Sequence, residues 1–443
     1  MTIYGMNPHL KTHTTTDVRK ENIGKNVTLG GWVHQLRDTG KLIFVQLRDS
    51  KGIAQIVIRK DVVSENIFTI AQNLTLESVI TVKGEIIGHE QARTGAEIKP
   101  SEIIVHSLAQ PKVPIDITAK KTKLDIDTVY RFRELSIRIP QNVMIMVIKS
   151  ETARAVREFF LSRGFTEIFT PAILMTATEG GADMFHVDYF GKKAVLAQSC
   201  QFYKQAATAV HEKVFGIIPS WRAEKSRTPR HLTEFFQIEN EIAWATDEEL
   251  MIIQEDLVKN VVEDVLENCS HELKSIGRTN LKVPSLPLKR LTFAEAKKLA
   301  SKLGYDEPPD EDFSTPAETA LSKHFEDPFF ITHYPTHLRG MYYEADPNNP
   351  SVTNSLDLVA PEGIGELSSG GIRVNNYERL IERIQKKGLK EENFEWYLRM
   401  FRYGMAPHAG YGLGFERLVR WITGVDSLRE TLMFPRTPDL FTP

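Results

Sequence analysis

Across residues 27–107 short apolar runs alternate with turns: VTLGGWVHQL, KLIFVQLRD, GIAQIVI, SVITVKGEII and SEIIVHSL. A two-residue period bounded by turn residues predicts five strands. A stretch at 65–76 predicts a helix between the third and fourth of them. Over 109–138 the pattern weakens into a segment rich in proline, lysine and aspartate, which reads as a hinge. A helix is predicted from near Val143, with Val147, Ala155, Phe159 and Phe160 on one stripe and Gly164 at its end. FTEIFTPAI follows as a strand stopped by Pro171. Val214, Phe215, Ile217 and Ile218, answered by Phe235, Phe236, Ile238, Ile242 and Ala243, predict an antiparallel hairpin around a charged loop, with Glu239 and Glu241 on alternate positions of its second arm. Residues 247–273 predict a long amphipathic helix. Residues 281–324 mix helices with proline-rich loops and carry no clear chemistry.

With 443 residues, 41% apolar and 26% charged, the chain predicts a soluble globular protein of two domains, one of them large. No apolar run of membrane-spanning length occurs and MTIYGMNPHLKTHTTT lacks a secretory apolar core, so a cytoplasmic location is expected. Cys200 and Cys269 stand far apart without partner spacings, which argues against a disulfide framework or a zinc site. A net charge of −3 neither announces nor excludes a nucleic-acid partner. The order of five strands and one helix suggests an OB-fold, a barrel that often binds oligonucleotides. Phe44 and Gln55, on its second and third strands, are candidates to stack on and read an unpaired base, or else a core aromatic and a solvated amide.

The hairpin loop holds Arg222, Glu224, Lys225, Arg227, Arg230 and His231. Guanidinium forks match phosphate oxygens, so a polyphosphate is one occupant; charges paired among themselves are the other reading. In LDLVAPEGIGELSSGGIRV, Glu366 and Ser369 offer hard oxygen ligands for Mg²⁺. In APHAGYGLGFERLVRWITG, Gly410, Gly412 and Gly414 permit close backbone approach ahead of a helix opened near Arg417. The triplet lacks both the βαβ context of a dinucleotide fold and the GKS or GKT of a P-loop.

GFTEIFTP after a helix, WRAE followed by RHLTEF across the hairpin, and GLGFER near the end together resemble the three signature motifs of class II aminoacyl-tRNA synthetases. The barrel ahead of them resembles the aspartyl, asparaginyl and lysyl subgroup. TATEGGADMF, AQSCQFYKQ, GELSSGGIR and FPRTP are similar to the compact, archaeal type of aspartyl and asparaginyl enzymes. The resemblance implies an α+β chain with an OB-fold anticodon-binding domain at 1–108, the hinge, and a class II catalytic domain at 139–443 whose antiparallel sheet is flanked by helices.

It also implies roles. Arg222 and Arg417 would be catalytic, Arg222 holding the α-phosphate of ATP. Glu224 would meet the adenine amino group and Phe235 would stack beneath the ring. His231 and Arg417 would take the γ-phosphate end, with Arg230 in the same ATP-binding set. Glu366 and Ser369 would carry Mg²⁺. Glu179, Ser199, Gln201, Lys204, Glu239, Ser369, Arg373 and His408 would surround the amino acid. Phe44 and Gln55 would contact the anticodon, and Pro171 would lie at a homodimer interface.

Asparagine and aspartate differ by NH₂ against O⁻, and the motifs divide. QSCQFYKQ, through Lys204, resembles the aspartyl pattern. Glu239, EKSRTPRHLTEF, APEGIGE and FPRTP resemble the asparaginyl one. A Lys204–Glu239 pair would silence both and leave Arg373 facing the substrate oxygen. The reading taken is asparagine with tRNA(Asn) as partner. The alternative is an aspartyl enzyme charging tRNA(Asp), or both tRNA(Asp) and tRNA(Asn). A catalytically silent RNA-binding paralogue would need a broken ATP site, and the ATP residues are all present.

Overall fold

The computed structural model describes residues 10–92, 94–118, 124–176, 183–226 and 228–443. It divides into two compact units, 1–125 and 126–443. The first is a closed barrel of β1 (Asn26–Asp38), β2 (Leu42–Arg48), β3 (Ile53–Arg59), β4 (Val79–Gly88) and β5 (Ala96–Ser107), in the order β1-β2-β3-β5-β4. Alternate residues such as Ile43, Val45 and Leu47 fill its core. Helix α1 (Glu65–Gln72) is capped by Ser64, whose side chain accepts from the Ile67 amide.

In the second unit, α2 (Ile126–Arg131) and α3 (Arg133–Ser136) occupy a stretch read from sequence as hinge. Arg133 is buried there and donates to the Leu432 and Met433 carbonyls, contacts distant in sequence and so invisible to local composition. Helix α4 (Pro140–Ser162) begins three residues before the predicted start, with proline in its first turn. The predicted FTEIFTPAI strand is two fragments, β6 (Thr166–Glu167) and β7 (Ile173–Leu174). They serve different sheets, β7 joining β8 (His186–Tyr189) and β9 (Lys192–Leu196). After α5 (Gln201–His211) comes the hairpin of β10 (Lys213–Trp221) and β11 (Glu234–Ala243), as its apolar arms predict. Helix α6 (Asp247–Asn268) starts at a capping box of Thr246 and Glu249.

Next come α7 (Ser270–Ser275), β12 (Lys289–Thr292), α8 (Phe293–Lys302), α9 (Thr315–His324) and β13 (Phe329–Thr332). The chain continues with β14 (Ser355–Ala360), β15 (Gly365–Ile372), α10 (Tyr377–Lys386), α11 (Glu395–Arg402), β16 (His408–Gly414) and α12 (Phe415–Thr423). The main sheet runs β12-β13-β14-β15-β16-β11-β10-β6. It is antiparallel through its middle, with parallel pairs only at the edges, β12 with β13 and β6 with β10. Phe159 and Phe160 of α4, Leu257 and Val261 of α6, and Leu418 and Ile422 of α12 pack on one face of this sheet in one core. The buried stripe on α6, at spacings of three and four, places that helix there. No helix of the described residues is long and apolar enough to cross a membrane.

Candidate active site

Strands β10 and β11 pair from Lys213↔Ile242 to Trp221↔Glu234, and β16 lies against the other side of β11. The core takes Ile238 and Ile242 from β11. The polar set Gln237, Glu239 and Glu241 keeps the two-residue period of the same strand. A cleft of about 300 Å³ opens over this sheet. Its walls bring together residues far apart in sequence: Ser199 and Gln201 at the start of α5, Arg222, Glu224, Arg230, His231 and Phe235 from the hairpin, Glu239 from β11, Glu366 and Ser369 from β15, and Arg417 from α12.

The Arg222 guanidinium lies 5.4 Å from the centre of the Phe235 ring. Arg417 donates to the Glu366 carbonyl at 2.7 Å and stands 3.3 Å from its carboxylate. Burial pushes the His231 imidazole below its ordinary value; Glu224 opposes this, and Arg417, Arg222 and Arg230 reinforce it. This end of the cleft concentrates cations around an aromatic face, which suits a nucleotide polyphosphate.

Glu366 and Ser369, three residues apart, would point to opposite faces of a regular strand. The register between β14 and β15 shifts at Leu358/Val359, so that Ser369 opposes Asp357, Ser368 opposes Leu358 and Glu366 opposes Val359. This bulge resets the alternation, and both side chains line the cleft. Asp357 is buried; burial and nearby Glu366 raise its pKa to about 6, although Arg339 at 2.8 Å opposes them. Arg339 also donates to Ser369 Oγ at 3.0 Å. A carboxylate and a hydroxyl facing the same space form the hard oxygen donor set that Mg²⁺ accepts.

At the other end, four charges are buried together. Lys204 Nζ stands 2.7 Å from Glu239 Oε2 and 3.3 Å from Glu241 Oε2, and donates to the Tyr411 carbonyl at 3.0 Å. Arg373 Nε donates to Glu241 Oε1 at 2.8 Å, and its Nη2 to the Gly410 carbonyl at 2.7 Å. Burial pulls the Lys204 ammonium down, yet Glu239 and Glu241 outweigh it and hold the group above the ordinary lysine value. Burial likewise raises Glu241, but Arg373 and Lys204 bring it below the carboxylate range. Gly410 and Gly412 sit opposite Glu241 and Glu239 in the β11–β16 register. A Cβ on Gly410 would come within 2.0 Å of Glu241, so the glycines of GYGLG make room for carboxylates rather than for a nucleotide.

Three residues expected around the amino acid therefore do not line the cleft. Lys204 and Arg373 are 1% exposed and engaged with glutamates. His408 is fully buried, with Nδ1 2.8 Å from the Ala406 carbonyl. Glu179 lies outside the described residues. Pro171 is exposed, beside Phe169 at 86% exposure. In the barrel, Phe44 and Gln55 alternate with core residues and face outward, partly exposed. Gln55 Nε2 donates to Glu97 Oε2 at 2.8 Å.

Sequence reasoning gave no role to Glu241, Asp357, Arg339 or Glu416. Glu416 is buried between Lys149, at 2.7 Å, and the Phe236 amide, at 2.9 Å. The available signal was the run Gln237, Glu239, Glu241, polar at period two inside an otherwise apolar strand. Buried charges need partners, and those partners lay elsewhere in the chain.

Residues 125–438 match the family described as tRNA synthetases class II (D, K and N), and residues 27–105 match the OB-fold nucleic acid binding domain. The chain belongs to that synthetase family. It is an aminoacyl-tRNA synthetase of the aspartyl/asparaginyl type. It is 41% identical over 423 residues, 95% of this chain and 97% of the relative, to the aspartate-tRNA(Asp/Asn) ligase of Archaeoglobus fulgidus. To the asparagine-tRNA ligase of Pyrococcus abyssi it is 39% identical over 425 residues, again 95% and 97% of the two chains. The crystal structure of asparaginyl-tRNA synthetase from Pyrococcus horikoshii complexed with asparaginyl-adenylate superimposes with a TM-score of 0.93 at 37% identity, covering 98% of this chain and 99% of that one.

Proposed function

We propose that this synthetase activates asparagine with ATP and transfers it to the 3′ end of tRNA(Asn). The observation that carries the reading is the buried Lys204–Glu239 pair at 2.7 Å. Glu239 lines the cleft while Lys204 does not. A substrate side chain reaching Glu239 finds an acceptor already neutralised by its lysine. An amide NH₂ can donate to it, whereas a carboxylate would meet another carboxylate. Lys204, Arg373, Glu239 and Glu241 sum to zero charge, so a neutral guest adds none to a dry site. Arg373 does not line the cleft, but its Nη2 stands 3.5 Å from Oε1 of Gln201, which does.

The asparagine carboxylate is ionised at neutral pH and needs no general base. One of its oxygens attacks the α-phosphorus, the new O–P bond forms, and the bond to pyrophosphate breaks. Arg222 faces the phosphorus under attack; His231 and Arg417 meet the leaving end, fixed before charge develops. Glu224 and Phe235 bind the adenine. Glu366 and Ser369 would hold Mg²⁺, which when bound neutralises phosphate charge. A 3′-terminal tRNA hydroxyl then attacks the acyl carbonyl and AMP leaves. Phe44 and Gln55 serve the anticodon, and the exposed segment around Phe169 and Pro171 serves a homodimer.

A second reading, aspartate charged onto tRNA(Asp) and tRNA(Asn), draws on Lys204 itself and on the 41% identity to a relative named for both tRNAs. ATP-pyrophosphate exchange without tRNA, each of the twenty amino acids offered separately, separates the two. Exchange with asparagine alone is expected. Exchange with aspartate alone overturns the first reading and supports the second.

A further inference from the structure

Residues 281–324 carried no chemistry in the sequence, yet α9 brings one carboxylate to the edge of the cleft. Glu318, in the first turn of α9, uses both oxygens. Oε1 accepts from the Glu366 amide at 2.5 Å, and Oε2 stands 3.2 Å from Arg230 Nη1. Arg230 Nη2 in turn donates to the Ile364 carbonyl at 2.5 Å. The three meet over Gly365, whose φ is +87°. A Cβ there would fall 2.0 Å from Arg230 Nη2 and 2.5 Å from Glu318 Oε1, so the meeting requires glycine. Arg230 is thereby engaged by α9 and by the turn before β15. On its other side the loop is held where the Leu428 amide donates to the Pro229 carbonyl at 3.0 Å.

We propose that Glu318 is a positioning residue for ATP: it fastens Arg230, and with it the loop carrying Arg222, Glu224 and His231, to the strand carrying Glu366 and Ser369. This rests on the reading of the cleft as the ATP site. Glu318 is not among the cleft-lining residues, so its effect passes through Arg230 and the Glu366 amide. Without the latch, the arginine-rich loop and the oxygen donors of β15 lose their common frame. Nucleotide affinity falls, while the charged residues Lys204, Glu239 and Glu241 of the amino-acid end, carried on α5 and β11, keep their own partners.

The test is calorimetric titration of the full chain with MgATP, and separately with asparagine and aspartate. The variants are Glu318→Gln, Glu318→Asp, Arg230→Gln and the double variant Glu318→Gln/Arg230→Gln. Glu318→Gln keeps the side chain's size and should weaken MgATP binding five- to tenfold, with amino-acid affinity within twofold of wild type. Glu318→Asp, which keeps the charge, should recover part of the loss. The double variant should be no weaker than Arg230→Gln alone. Unchanged MgATP affinity in Glu318→Gln, equal losses for nucleotide and amino acid, or additive losses in the double variant would each overturn the latch. Failure of the wild-type chain to bind MgATP would overturn the nucleotide reading and the latch with it.

Discussion

Lys204 Nζ and Glu239 Oε2 lie 2.7 Å apart, 1% and 3% exposed, and Glu241 holds the same ammonium at 3.3 Å from the other side. A lysine that resembles an aspartate-binding residue is thus flanked by two carboxylates, and a selectivity follows from their arithmetic. Glu239→Gln removes one negative charge and leaves the tetrad at +1. The ratio of aspartate to asparagine use in ATP-pyrophosphate exchange should rise by roughly tenfold or more, the equivalent of about 1.4 kcal/mol. An unchanged ratio would separate Glu239 from substrate selection.

The same buried charges bear on stability. Lys204→Met leaves Glu239 and Glu241 with Arg373 as their only counterion within the tetrad, and an uncompensated buried charge costs about 3–5 kcal/mol. Removing Glu239 as well, in Lys204→Met/Glu239→Gln, restores neutrality and should recover most of that loss. Urea unfolding of the two variants against wild type measures the difference. Equal losses in both would mean that packing, not charge, sets the cost.

Arg222→Ala should lower exchange by about 10²–10³-fold, the range for removing one preorganised donor from a developing charge. Its guanidinium lies over the Phe235 ring and is in no ion pair among the described residues, so the melting temperature should stay close to wild type. Near-normal exchange would remove Arg222 from the α-phosphate.

What the sequence disclosed, and what it withheld, follows from the range of each interaction. The barrel and the β10–β11 hairpin were legible because alternation and turn residues are local signals. The arginine-rich wall of the cleft was legible because Arg222, Glu224, His231 and Phe235 lie within one hairpin. The tetrad was legible only in part. Lys204 and Glu239 were paired as a possibility, but Glu241 was not seen as the counterion of Arg373, 132 residues away. Helices α2 and α3, inside the stretch read as hinge, were not legible because Arg133 is bound by carbonyls 299 and 300 residues distant. Glu318 could not be found, since nothing local distinguishes it from any glutamate in the first turn of a helix.

In the barrel, Gln55 Nε2 donates to Glu97 Oε2, which fixes the orientation of the amide that is proposed to read a base. Gln55→Ala should lower tRNA charging about five- to tenfold, the scale of one net hydrogen bond, and leave exchange unchanged. Glu97→Gln should reproduce part of that loss by freeing the amide to turn. Exchange falling in step with charging would place Gln55 outside the anticodon contact.

His408 supplies a pH dependence whose sign can be worked out. A carbonyl only accepts, so its contact with Ala406 assigns the proton to Nδ1 and leaves Nε2 buried without a partner among the described residues. Burial lowers the imidazole below the ordinary value of 6.5; Glu241 and the Ala406 carbonyl oppose this, and Arg373 and Lys204 reinforce it. The unfolded chain therefore takes up a proton near pH 6.5 that the folded chain refuses. Stability must fall as pH drops from about 6.5 toward the lower folded value, by up to about 1.4 kcal/mol per pH unit from this group. His408→Gln removes that contribution while keeping a polar side chain. In urea unfolding at pH 7.5, 6.5 and 5.5 the stability advantage of wild type over the variant should shrink as the pH falls. A constant difference across the series would show that the acid sensitivity of the fold arises elsewhere.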